Sequence, residues 1–247
     1  MIELSSLEVQ PGRRLVYRLR PGRGPTILFL PGYMSDMEGS KAAALDQWAA
    51  EQGRAMLRFD YGGCGASEGA FEAQGLDDWF GDTLAMIDRV APDGPVVLVG
   101  SSMGGWLMLL AALARPERVP ALVGIAAAPD FTDWGFDEEE RRVLAEAGRL
   151  EQASPEGEAP FVTTLGFWES GQRHLLLGED IAIDCSVRLL HGQRDADVPW
   201  RNALRLGEQL RSADVQTLLI KDGDHRLSRP QDIALLIAAV HAVMEQA

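Results

Sequence analysis

Short, almost wholly apolar runs recur along the chain, each separated from the next by a segment of helical periodicity. The runs are Thr26–Leu30, Ala55–Phe59, Val96–Gly100, Ala121–Ala127, Val187–Leu190 and Val215–Ile220. Strands this short and this apolar are buried on both faces, as in a parallel sheet covered by helices. Helical patterns at Ser40–Gln52, Leu76–Val90, Met103–Ala114, Arg201–Leu210 and Gln231–Gln246 supply the cover. Strand–helix–strand alternation therefore predicts an α/β fold, a mostly parallel twisted sheet with helices on both faces. Ahead of it, Ser6–Val9 and Leu15–Leu19 flank Pro11-Gly12 and read as an antiparallel hairpin.

One stretch breaks this rhythm. From Pro129 to about Asp184 there are two helix-like patterns, no clear strand, and a linker, Glu151–Pro160, rich in Glu, Ser and Pro. Acidic residues far outnumber Arg141, Arg142 and Arg149 between Asp130 and Glu158. The expectation is a helical cap, about residues 129–184, inserted into a single domain spanning residues 1–247. Its aromatics, Phe131, Trp134, Phe136, Phe161, Phe167 and Trp168, either line an acyl pocket or pack the cap onto the sheet.

Charge removes several function classes. Lys and Arg number 23 against 37 Asp and Glu, a net charge of −14. Nucleic-acid binding draws much of its affinity from cationic groups displacing phosphate counterions, so DNA and RNA are not expected partners. An anionic membrane surface is disfavoured for the same reason. Cys64 and Cys185 are the only cysteines and fit neither a disulfide framework nor a zinc site. The opening MIELSSLEVQ lacks a secretory pattern, and no apolar run approaches the ~20 residues of a membrane span, so a soluble cytoplasmic protein is expected.

The chemistry begins after the run Val96–Gly100. Gly100-Ser101-Ser102-Met103-Gly104 is a G-x-S-x-G element between a strand and a helix, the context in which that pattern has meaning. A sharp strand-to-helix turn exposes the central hydroxyl, and glycines two before and two after it remove side chains that would collide. Ser102 has glycines at both offsets, whereas Ser101 does not. Ser102 is thus the candidate nucleophile.

A serine nucleophile needs a base, and the base an orienting acid. Of His174, His191, His225 and His241, His225 lies in a polar loop between the last strand and the last helix. Such loops, at strand C-terminal ends, carry the chemistry of open α/β sheets. The acid belongs in the loop after Val187–Leu190, where Asp195 and Asp197 both qualify and spacing does not separate them. Oxyanion donors are expected from the Met103 N–H and, in Pro31-Gly32-Tyr33, from the Tyr33 N–H. Asp60-Tyr61-Gly62-Gly63-Cys64-Gly65 imitates a dinucleotide loop but lacks its third glycine, and Cys64 has no base of its own. No metal or organic cofactor is expected.

Five blocks in order, LPGYMSDMEGSKA, RFDYGGCGASEG, VGSSMGGWLMLLAALARPERV, VRLLHGQRDADVPW and GDHRL, resemble the α/β-hydrolase superfamily. Within it the chain is most similar to the group of palmitoyl-protein thioesterases and acyl-glucuronide esterases with their bacterial relatives. The resemblance implies an α/β-hydrolase fold, Ser102 as nucleophile, Asp195 rather than Asp197 as acid, and His225 as base. It implies a serine hydrolase cleaving ester or acyl thioester bonds of a small molecule or acylated peptide through an acyl-enzyme. An acyltransferase or peptidase on the same residues, or a hydrolase-fold protein that binds without turnover, are the alternatives.

Overall fold

The computed structural model describes residues 2–91, 94–153 and 160–246. The Pro11-Gly12 turn, with Gly12 at φ +75°, joins β1 (Ser5–Gln10) to β2 (Arg13–Arg20) as an antiparallel hairpin. The apolar runs become β3 (Arg23–Leu30), β4 (Arg54–Phe59), β5 (Val96–Ser101), β6 (Ala121–Ile125), β9 (Ser186–Gly192) and β10 (Val215–Ile220). All lie in one eight-stranded sheet of order β1-β2-β4-β3-β5-β6-β9-β10. From β4 to β10 the neighbours run parallel, while β2 meets β4 antiparallel.

Helices cover both faces. Helix α1 (Ser40–Gln52) and α8 (Pro230–Met244) bury Ala42, Leu45, Leu236 and Val240 against Ile27, Val97 and Val123. On the other face α2 (Leu76–Ala85), α3 (Met103–Ala114) and α7 (Arg201–Gln209) bury Trp79, Trp106 and Leu206 against Leu28, Leu98 and Val187. Alternate residues of one strand thus feed two cores, which is why the runs are mostly apolar; the buried exceptions, Arg58 and Arg188, are paired with Glu38 and Asp214. The chain leaves β3 towards β4 and leaves β5 towards β6, so the sheet order reverses between β3 and β5. Ligand crevices of open α/β sheets form at such a switch point, outside the strand C-termini.

Two boundaries differ from the sequence expectation. The run Ala121–Ala127 stops pairing at Ile125, because Ala126 takes φ +46° and turns the chain. The pattern Leu76–Val90 divides into α2 and a widened π turn at Met86–Val90.

Between β6 and β9 lies the acidic insertion: α4 (Phe131–Trp134), α5 (Glu138–Ala147), β7 (Arg149–Gln152), β8 (Phe161–Thr164) and α6 (Leu165–Gln172). The absence of strands expected for Pro129–Asp184 is corrected here, since β7 and β8 form an antiparallel pair. Neither carries an apolar run. Instead the pair is fixed from outside, by the Tyr33 hydroxyl donating to Val162 O at 2.6 Å and by Arg149 beside Glu72 at 3.4 Å. Most of the linker Glu151–Pro160 lies outside the described residues. Thr164 caps α6 by accepting from the Phe167 N–H, and Asp137 and Glu140 form a reciprocal cap on α5. At the base of the insertion, Asp130 accepts from the N–H groups of Leu176 and Leu177 at 2.6–2.9 Å.

Candidate active site

Ser102 follows β5 at φ +53° and ψ −118°, a backbone conformation costly to a residue with a Cβ. It is locked by three backbone bonds: its N–H donates to Ile125 O at 2.9 Å, and its carbonyl accepts from Gly105 at 2.9 Å and Ala128 at 3.1 Å. The motif glycines explain the tolerance. A Cβ on Gly100 would lie 2.3 Å from Gly104 O, one on Gly104 2.1 Å from Leu30 O, and one on Gly105 2.5 Å from the Ala127 Cβ. Helix α3 can therefore start directly against the strand edge. Ser102 Oγ makes no capping bond to that helix and is left available, while Ser101 belongs to β5 and is buried.

The Asp195 loop follows β9 and the His225 loop follows β10, so both meet at the same sheet edge as Ser102. Close approach of the two loops requires Gly192, where a Cβ would stand 2.2 Å from Gly223 O. Asp195 Oδ1 accepts from the N–H groups of Asp197 at 2.9 Å and Val198 at 2.8 Å. Its Oδ2 accepts from His225 Nδ1 at 2.8 Å, with the carboxylate fully shielded and the imidazole partly exposed. Burial would raise the Asp195 pKa, but hydrogen bonds from His191 and His225, and the His225 charge, hold it well below the usual carboxylate range. Asp195 is therefore ionised wherever an imidazole can act as base. Asp197 is exposed and makes no such bond to His225 among the described residues.

His174 and His241 stand apart from this pairing, whereas His191 touches it from the buried side. His174 Nε2 pairs with Asp77 at 2.5 Å, and His241 packs edge-on to Trp48. His191 is sealed beneath the Asp195 loop, its Nε2 lying 3.1 Å from Asp195 Oδ2. In the sequence His191 ends a strand next to Gly192, where it could face the site, four residues before Asp195 in the same block.

Gly32 brings the loop after β3 to the serine, since a Cβ there would sit 3.4 Å from the Ser102 Cβ. Tyr33 follows it. Its ring is packed by Phe71, Trp79, Phe131 and Phe167 at centroid distances of 4.8–6.1 Å, and burial pushes its hydroxyl pKa well up. Met103 opens α3, so its N–H has no partner within the helix. The insertion's aromatics divide. Phe131 and Phe167 pack around Tyr33, the Trp134 and Trp168 indoles donate to Pro129 O and Thr132 O, Phe136 is buried and Phe161 is exposed.

Beside the Tyr33 loop opens a cavity of about 690 Å³, bordered by Met34, Asp36, Cys64, Phe71, Arg149 and Val162. This is the size of a small-molecule site. Arg149 is flanked there by Glu72 and Glu151, leaving carboxylates in excess on the walls. Cys64 is buried and its thiol is pushed up to about 12, principally by that burial, the opposite of an activated nucleophile. The loop resembling a dinucleotide cradle is filled by its own Asp60, which accepts from the Met37 and Ala66 N–H groups at 2.8 Å and occupies the space beside Gly65. One ligand atom each of Asp195, Asp197 and His225 come within 4.8 Å of one another. Binding a cation there would break the Asp195–His225 bond.

The comparisons with known proteins meet this geometry. A family described as serine aminopeptidase, S33, matches residues 24–150. Human palmitoyl-protein thioesterase ABHD10, mitochondrial, is 39% identical over 236 residues, covering 94% of this chain and 77% of that protein. The chain belongs to the α/β-hydrolase superfamily. Mouse α/β-hydrolase domain-containing protein 10 superposes with a TM-score of 0.92 at 39% identity, covering 99% of each chain. A protein from Agrobacterium vitis S4 does so with a TM-score of 0.93, also at 39% identity and 99% of each chain. This α/β-hydrolase is accordingly an enzyme of the esterase/thioesterase type. Among the described residues no helix is long and apolar enough to cross a membrane.

Proposed function

We propose that this α/β-hydrolase cleaves carboxylic ester or acyl thioester bonds through a Ser102–His225–Asp195 triad and an acyl-enzyme. The observation that carries the reading is the 2.8 Å bond between His225 Nδ1 and the shielded, ionised Asp195, at the sheet edge that also bears the strained Ser102. Ser102 Oγ adds to the acyl carbonyl and passes its proton to His225 Nε2. Asp195 fixes the Nδ1–H tautomer and stabilises the imidazolium. The Tyr33 and Met103 N–H groups receive the oxyanion. Collapse expels alcohol or thiol, protonated by His225, and water, deprotonated by the same histidine, releases the acid and frees Ser102. The chain acts as one domain whose insertion, about residues 129–184, covers this edge.

The substrate is a small-molecule or acylated-peptide ester or thioester, in keeping with the thioesterase named among its relatives. Carboxylates prevail on the walls of the cavity beside the Tyr33 loop, which none of Ser102, Asp195 and His225 lines, and a leaving group lying there would be disfavoured if dense in negative charge.

The test is a panel of p-nitrophenyl esters, S-acyl cysteine models and acyl-CoA of matched chain length, run on wild type and Ser102→Ala, with fluorophosphonate labelling. Expected are one adduct, on Ser102, and loss of about 10⁴-fold or more of the rate in Ser102→Ala. Acyl-CoA should be the slower thioester, with the gap narrowing as salt rises. Labelling that persists in Ser102→Ala overturns the mechanism. Preference for acyl-CoA at low ionic strength overturns the electrostatic selectivity.

A further inference from the structure

His191 is fully buried at the end of β9, beneath the loop that carries Asp195. Its Nε2 meets two oxygens, Val198 O at 3.0 Å and Asp195 Oδ2 at 3.1 Å. A backbone carbonyl and an ionised carboxylate only accept, so the ring's proton belongs on Nε2. The other nitrogen, Nδ1, is buried with no hydrogen-bond partner. A buried polar atom left unpaired is costly, and an apolar side chain here would avoid that cost. The Nε2–H must therefore contribute something that volume alone does not.

The bonds form a closed circuit. Val198 N–H holds Asp195 Oδ1, and Val198 O is held by His191. Asp195 Oδ2 lies between the His191 and His225 rings, at 3.1 and 2.8 Å. We infer that His191 is a positioning residue of the triad: its single Nε2–H, aimed at Val198 O and adjacent to Asp195 Oδ2, fixes the turn that directs this carboxylate at His225. Without it the Asp195–Val198 turn keeps only its own local bonds, and Oδ2 loses one of the two rings that flank it. This assignment rests on the triad proposed above, in which Asp195 orients His225.

Three variants test it. His191→Phe keeps a ring without the donor. His191→Asn keeps an amide too short to reach Val198 O. His191→Gln extends an NH₂ to about the former place of Nε2, where its two N–H groups can serve both oxygens. Each is melted by circular dichroism, its active sites are counted by fluorophosphonate, and kcat and KM are measured on a p-nitrophenyl ester per titrated site. The downfield proton resonance of His225 Nδ1 is followed by NMR.

Expected is a fall in kcat of about 10- to 100-fold in His191→Phe and His191→Asn with KM within about twofold, the size of effect of other second-layer orienting bonds. The His225 resonance weakens in both, and His191→Gln restores kcat and resonance to near wild type. Should His191→Phe not fold, the Asn and Gln pair carries the same comparison. Wild-type kcat per titrated site in His191→Asn, or His191→Gln no better than His191→Asn, overturns the inference. Asp195→Asn runs alongside: if it too keeps the wild-type rate, the triad reading itself has failed, and if it alone is inactive, only the role of His191 has.

Discussion

At the sheet edge, Ser102 is enclosed by backbone: the space beside Gly100 and Gly104 is filled by main-chain atoms, and its own N–H and carbonyl are held by Ile125, Gly105 and Ala128. The insertion between β6 and β9 is attached differently, largely through side chains. Tyr33 reaches Val162, Glu72 reaches Arg149, and Asp77 in α2 binds Ser170, Arg173 and His174. A wall of main chain has no rotamer with which to yield, whereas side-chain ties can be lost one at a time. Substitutions at the edge should therefore strike turnover or folding outright, and substitutions at the ties should alter substrate affinity and local stability.

The sharpest test compares two neighbours. Asp195→Asn should lower kcat by about 10⁴-fold, since the amide favours the wrong His225 tautomer and offers no charge to an imidazolium. Asp197→Asn, at an exposed carboxylate, should stay within a few-fold of wild type. Steady-state kinetics of both settle it, and reversed sizes would move the acid to Asp197. Next comes Gly104→Ala, whose Cβ would fall 2.1 Å from Leu30 O. It should cost about 3 kcal/mol or more and remove fluorophosphonate labelling, read by denaturant unfolding. A soluble, normally labelled Gly104→Ala would show that the edge can yield.

The insertion's ties carry smaller effects. Tyr33→Phe loses the bond to Val162 O, about 1 kcal/mol and so about 2–4 °C in Tm, with KM rising a few-fold and kcat within about twofold. A collapse of kcat would mean that the hydroxyl, besides the backbone, serves the reaction. Smallest is Asp77→Asn. Burial would raise the Asp77 pKa, but bonds from Arg173, His174 and Ser170 lower it from 3.8 to about 2. The stabilisation is thus full above about pH 4 and fades as the pH falls towards 2, and solvent screening of this half-exposed group keeps it under about 1 kcal/mol. Melts at pH 6, 4 and 3 should show the gap between wild type and Asp77→Asn closing with acid. A gap that widens would reverse the sign of the linkage.

The same contrast governs what could be read from the sequence. Val96–Gly100 and Ala121–Ile125 are legible because burial on both faces removes every polar choice, and the glycine spacing around Ser102 because main-chain crowding admits no substitute. Arg149–Gln152 and Phe161–Thr164 carry no comparable pattern, since they pair with each other over partly exposed ground and are fixed by Tyr33 and Glu72 from distant parts of the chain. Between Asp195 and Asp197 spacing was silent. Which carboxylate turns inward is set by a local turn, in which Asp195 Oδ1 takes the Asp197 and Val198 N–H groups. His191 escaped for a related reason, as its partner Val198 becomes a neighbour only once that turn is formed.

The clasp at Asp130 has a consequence for descent and engineering. One carboxylate receives Leu176 and Leu177, so the chain departs from the sheet and returns to it at nearly the same place. Everything between is in effect a cassette with its ends already joined. Closure cost rises only by about 0.6 kcal/mol for each doubling of loop length. Such a cassette can be lengthened, recharged or exchanged for another enzyme's with the serine, aspartate and histidine left where they stand. A graft made between residues 131 and 175 and keeping Asp130 should inherit this enzyme's reaction and its donor's taste in substrates.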